Sequence, residues 1–104
     1  MNPLVIEGLK FHKQGNLLEA KKFYELALKA NSNDSDASCL MGMIEYKNKS
    51  YEVAINLFKK SINIQSNFFE AYYNLSCVLK DVKRFEEAMS FARKSTEINP
   101  SSAE

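Results

Sequence analysis

A chain of 104 residues, 45% hydrophobic and 26% charged, has the length of one domain and an ordinary globular composition, which excludes a disordered chain. Fourteen Lys and Arg against thirteen Asp and Glu leave a net charge of +1, so the basic excess that a phosphate backbone selects is missing and nucleic acid is not an expected partner. No apolar run approaches the ~20 residues that cross a bilayer, and Glu7 interrupts Leu4-Val5-Ile6 before a secretory core can form, so a cytoplasmic protein with no membrane partner is expected. Cys39 and Cys77 form no CxxC pair and there is one histidine, which points to reduced thiols and to neither a disulfide scaffold nor a metal site.

Apolar residues recur at three- and four-residue spacing nearly throughout, and strand-like alternation is absent. Breaks near Gly15-Asn16, Asn31 to Asp34, Asn48 to Ser50, Gln65 to Asn67 and Lys83-Arg84 leave six helical segments of similar length. The first opens on Asn2-Pro3, a cap followed by a residue whose missing N–H costs nothing in a first turn. The second opens on Asn16 with Glu19 at capping-box spacing. Ser50 is expected to cap the fourth in the same way, whereas Arg84 cannot cap the sixth, so that turn is expected to fray first.

Sliding the sequence by 34 residues places Leu17, Ala20 and Tyr24 over Tyr51, Ala54 and Phe58 and over Phe85, Ala88 and Ala92. The same shift stacks Gly8 on Gly42 and Ser76, and Ala27 on Ser61 and Ser95, small residues where paired helices must approach closely. The copies run over 1–34, 35–68 and 69–102. With Leu4, Gly8, Phe11, Ala20, Tyr24 and Ala27 in the first copy, Met41, Gly42, Ala54 and Phe58 in the second, and Tyr72, Leu75, Leu79, Ala88 and Pro100 in the third, the chain resembles the tetratricopeptide repeat family. The resemblance implies an all-α fold, a right-handed solenoid of three helical hairpins forming a single domain over 1–104. Departures are Ser38 and Glu45, where a large residue and an aromatic are usual, and Ser32 and Ser66 in place of a closing proline.

In such stacks the first helix of each hairpin packs its third, seventh and tenth residues on the preceding hairpin. These are Ala37, Met41, Ile44 and Ala71, Leu75, Val78 in the later copies, but Pro3, Glu7 and Lys10 in the first, which reads as a solvent-facing start with Met1 as the native beginning. Met89, Phe91 and Ile98 leave an apolar face on the last helix, so the chain is expected to be the N-terminal part of a longer protein or to meet another chain there.

The resemblance also implies a concave surface lined by the first helices, with Val5, Leu9 and His12, then Cys39, Met43 and Tyr46, then Tyr73, Cys77 and Lys80 facing into it, and Asn74 beside them. Asn2, Asp36 and Glu70 form one lip, and Lys13, Lys47 and Asp81 the other. This apolar trough suits an apolar or amphipathic peptide, and a following segment or a second copy of the chain is the alternative occupant. Chaperone-adaptor members grip a terminal carboxylate with basic residues and Asn where this chain has Val5, Leu9, Leu40, Glu70 and Asn74. Only Asn74 matches, and Glu70 repels a carboxylate.

Catalysis is not expected, because His12 has neither a nucleophile nor an orienting partner in any recognisable motif, and Cys39 and Cys77 read as packing residues. Glu45 is expected to pair with Lys49 one turn on, and Lys21-Lys22 to lie on a solvated face. The reading is a non-enzymatic protein-interaction module without a cofactor. Its alternatives are the recognition head of a larger enzyme, such as a glycosyltransferase or methyltransferase, and a self-association module.

Overall fold

The structure, a computed structural model, describes residues 1–103, with side chains through 101. Six helices follow one another: α1 (Pro3–Lys13), α2 (Leu17–Ala30), α3 (Ser35–Lys47), α4 (Tyr51–Ile64), α5 (Phe69–Asp81) and α6 (Phe85–Ile98). A 3₁₀ turn over Pro100–Ala103 closes the described chain, and no strand occurs among the described residues. The helices pair as α1–α2, α3–α4 and α5–α6, and the three hairpins stack in series, as the repeat predicts.

Local chemistry sets the boundaries. The N–H of Leu4 donates to Asn2 Oδ1 at 2.8 Å, that of Glu19 to Asn16 Oδ1 at 3.3 Å, and that of Ala37 to Asp34 Oδ1 at 3.0 Å. Ser50 makes no such side-chain bond, contrary to expectation. Arg84 makes no side-chain cap bond either, as expected; its guanidinium instead lies on Glu87 at 2.9 Å and reaches Glu52 of the preceding hairpin at 3.6 Å.

Each hairpin turns through one left-handed residue, Gly15 at φ 80°, Lys49 at φ 64° and Lys83 at φ 66°. The next N–H reaches back to the first helix, Asn16 to Phe11 O at 2.9 Å, Ser50 to Glu45 O at 2.8 Å and Arg84 to Leu79 O at 2.8 Å. The N–H groups of Gly15, Lys49 and Lys83 bond His12, Tyr46 and Lys80, so all three turns carry the double bond pattern of a Schellman cap. At the opposite end of the hairpins, Ser61 Oγ donates to Ser35 O at 2.9 Å and Ser95 Oγ to Phe69 O at 3.2 Å, pinning the start of each first helix against its partner.

The core lies between hairpins. Ala37, Met41 and Ile44 of α3 pack with Val5, Ala20, Tyr24 and Ala27, and Ala71, Leu75 and Val78 of α5 pack with Cys39, Ala54, Ile55 and Phe58. Pro3, Glu7 and Lys10 are exposed on α1, and Lys10 Nζ pairs with Glu7 Oε1 at 3.0 Å. Glu45 is held by Lys21 of the first hairpin at 3.7 Å, not by Lys49, whose left-handed backbone lies beyond the end of α3.

Candidate functional site

The three residues at the fifth place of each repeat differ sharply. Val5 is 0% exposed, Cys39 2% and Tyr73 52%. Val5 is sealed under the next hairpin, Cys39 is nearly buried yet keeps an edge on the cleft between α1, α3 and α5, and Tyr73 has no hairpin over it among the described residues. Burial pushes the Cys39 thiol up to about 12, with the carboxylates of Glu70 and Asp36 adding to the shift against the hydrogen bond of the Asn74 side chain, so it stays a protonated packing group.

Two further groove residues spend their polar atoms inside the protein. His12 Nδ1 lies 3.0 Å from the Tyr24 hydroxyl, and its pKa is lowered, first by burial and then by Lys47. It is a neutral imidazole bonded to a core phenol, whose own pKa burial raises to about 12. The Tyr46 hydroxyl donates to the Asp81 carboxylate across α3 and α5; burial first and this bond second raise its pKa.

The remaining residues open onto two separate clefts. Leu9, Cys39, Leu40, Met43 and Phe68 line one of about 230 Å³ that crosses α1, α3 and the start of α5, with Asp36 and Glu70 at its lip. Leu40 and Phe68 were not among the predicted groove residues. Leu40 follows Cys39 by one residue, a 100° step around the helix that the expected i, i+4, i+7 face leaves out. Phe68 precedes α5 and lies outside any helical period. Tyr73, Cys77 and Lys80 line the other cleft, about 360 Å³ between α5 and α6, together with Ser76, Phe85, Ala88, Met89 and Ala92. Of the apolar face expected on the last helix, Met89 is 61% exposed, whereas Phe91 is half-buried with its ring 6.1 Å from that of Tyr72, and Ile98 is also half-buried. Phe85, 55% exposed, belongs to that face and was not anticipated.

The tetratricopeptide repeat model matches residues 8–34, 35–68 and 69–102. The chain belongs to the tetratricopeptide repeat family. Protein bimA of Emericella nidulans is 26% identical over 96 residues, which cover 92% of this chain and 12% of that protein, so the chain spans about an eighth of its relative's length. Among solved structures, the first tetratricopeptide domain of Spaghetti (RPAP3), bound to an HSP90 peptide, superposes with a TM-score of 0.88 at 21% identity, covering 93% of this chain and 77% of that one. An O-GlcNAc transferase from Thermobaculum terrenum gives 0.90 at 20% identity, covering 93% and 19%. These likenesses establish the right-handed solenoid of three tetratricopeptide hairpins. Among the described residues no helix is long and apolar enough to cross a membrane.

Proposed function

We propose that this chain is a non-enzymatic protein-interaction module that takes an apolar or amphipathic peptide in the cleft across α1, α3 and α5. The observation that carries the reading is the lining of that cleft, an apolar floor of Leu9, Leu40 and Met43 with the Asp36 and Glu70 carboxylates at the rim. Its volume of about 230 Å³ is below the ~300 Å³ from which small-molecule sites begin, and suits single side chains of an extended or helical segment. Met43 is unbranched and polarizable and adapts to varied apolar shapes. The two carboxylates favour a cationic residue beside the apolar anchor and oppose a carboxylate-rich tail. A non-catalytic role is supported by the state of the reactive groups: the imidazole is occupied by Tyr24, and the thiol of Cys39 is buried and protonated.

The reading is tested with a fluorescent peptide carrying Leu and Phe anchors flanked by Lys, and a second in which Glu replaces Lys. The cationic peptide binds more tightly. Met43→Glu weakens it by about 1 kcal/mol or more, the scale of an interface anchor, with helicity unchanged. Glu70→Lys shifts preference toward the acidic peptide. Equal binding of both peptides, or full binding by Met43→Glu, refutes the assignment.

A further inference from the structure

The cleft across α1, α3 and α5 is part of a longer pattern that runs along the first helices. On α3, Asp36, Leu40, Met43 and Lys47 fall at i, i+4, i+7 and i+11, a single stripe along one face. On α1 the same places hold Asn2, Ile6, Leu9 and Lys13. Both stripes are polar or acidic at the start, apolar over the middle and cationic at the end. They lie side by side, because Leu9 lines one cleft with Asp36, Leu40 and Met43, and with Glu70 from the start of α5. Ile6 is 44% and Met43 37% exposed although a further hairpin is stacked on each of theirs, so this surface does not arise from the end of the chain.

The charges at the two ends of the stripes are free. Among the described residues none of Asp36, Glu70, Lys13, Lys47 and Lys80 makes an ion pair, whereas Glu7, Glu19, Glu45 and Glu87 each hold a cation elsewhere. Two interior groups register the opposite fields. Burial is the larger cause of both shifts, but Glu70 and Asp36 raise the Cys39 thiol further, and Lys47 lowers the His12 imidazole further. Helix dipoles place about half a charge of opposite sign at each helix end, too little to cancel a full one. On α5, Asp81 stands at the place of Lys47 but is taken by the Tyr46 hydroxyl, and Lys80 is exposed beside it.

Resting on the peptide reading of that cleft, we infer that the groove selects a bipolar extended segment of a partner protein. It lies along α3 with a basic side chain at Asp36 and Glu70, two apolar side chains over Leu40 and Met43, and an acidic side chain at Lys13 and Lys47. From Asp36 to Lys47 the helix rises about 17 Å. An extended segment rises about 3.3 Å per residue and turns every second side chain to one face, so the pattern is basic-x-apolar-x-apolar-x-acidic, about 20 Å long. The four-carbon stem of Lys47 spans the small excess. The residues that follow α6, Asn99 to Ser101, carry no charge and do not meet this pattern.

The test uses the whole chain and two fluorescent peptides with the same Leu and Phe anchors in this spacing, one with Lys before and Glu after them, the other with Lys at both ends. At about 20 mM salt the bipolar peptide binds about tenfold more tightly, and the margin shrinks as salt is raised. Lys13→Glu with Lys47→Glu reverses the preference, and Lys47→Arg retains it. Lys29→Glu with Lys60→Glu changes the net charge equally, on the second helices, and leaves the preference in place. Equal or tighter binding of the dicationic peptide overturns the inference. So does a preference that survives the reversal at Lys13 and Lys47, or that is lost equally in the Lys29 and Lys60 control. Sedimentation showing a dimer that Met43→Glu dissociates also overturns it and assigns the groove to a second copy. Equal binding of the two peptides that Met43→Glu weakens leaves the proposed function standing and removes only the acidic end of the ligand, whereas failure of both peptides to bind removes both.

Discussion

Gly42 and Phe58 lock the second hairpin together: a Cβ on Gly42 would stand 2.7 Å from Phe58 Cε1, 2.9 Å from Cδ1 and 3.0 Å from Cζ. The ring is fully buried and has nowhere to retreat. Helix propensity alone favours Gly42→Ala by about 1 kcal/mol, but overpacking a rigid site costs about 1–3 kcal/mol. The expected outcome is a net loss of stability, read as a lower urea midpoint at unchanged slope. The same substitution at exposed Gly15 meets no atom within 4 Å and costs only the strain of its positive φ. A stabilised Gly42→Ala refutes the lock.

The three hairpin turns share a left-handed residue, yet only the first uses glycine for it. Lys49 and Lys83 adopt φ of 64° and 66° in identical Schellman caps. A side chain there costs on the order of 1 kcal/mol, offset in part by the smaller backbone entropy it loses on folding. Lys49→Gly and Lys83→Gly are each expected to raise stability by about 0.5 kcal/mol, and to add closely because each acts on its own residue's backbone strain. Thermal melts of the two single variants and the double variant check this. Melting points at or below that of the parent count against it.

The six helices, their breaks and the outward charges of α1 were legible because each rests on a local rule: periodicity, caps, and the cost of burying Glu7 and Lys10. The groove was only partly legible, and Val5 shows why. Residues 5, 9 and 12 share a helical face, but a face is wide enough for one edge to be covered by the next hairpin while its centre stays open. Which residues fall on the covered edge depends on how two hairpins cross, and spacing within one helix does not encode that. Tyr73 holds the same place in the third repeat, and it is exposed because no described residue sits on it. Glu45 met Lys21 instead of Lys49 for a related reason, since Lys49 is turned away by its left-handed backbone.

Ser38 stands where the first and third repeats carry Leu4 and Tyr72, and it is 0% exposed. Its Oγ has no hydrogen-bond partner among the described residues. An unsatisfied buried hydroxyl costs about 1–3 kcal/mol, whereas a methyl group in that place costs nothing in hydrogen bonding. Ser38→Ala is therefore expected to stabilise the protein by about 1 kcal/mol. Chemical denaturation of this variant gives the answer directly, and a loss of stability would mean that the hydroxyl is satisfied.

His12 makes stability depend on pH in a predictable direction. Its pKa in the folded protein lies below the ordinary 6.5, through burial first and the Lys47 charge second, so folding favours the neutral ring that bonds the Tyr24 hydroxyl. As pH falls through 6.5 the unfolded chain takes up its proton first, and folding stability declines until the folded pKa is reached, below which this group adds no further change. Above 6.5 the contribution is fully present. Carboxylates also titrate at the acid end, so the comparison is with His12→Gln, which keeps a polar group facing Tyr24 but cannot take up the proton. Urea midpoints at about pH 7.5 and about pH 5.5 are expected to fall more for the parent than for His12→Gln. Equal falls in the two proteins would show that the ring is protonated as readily in the folded chain as in the unfolded one.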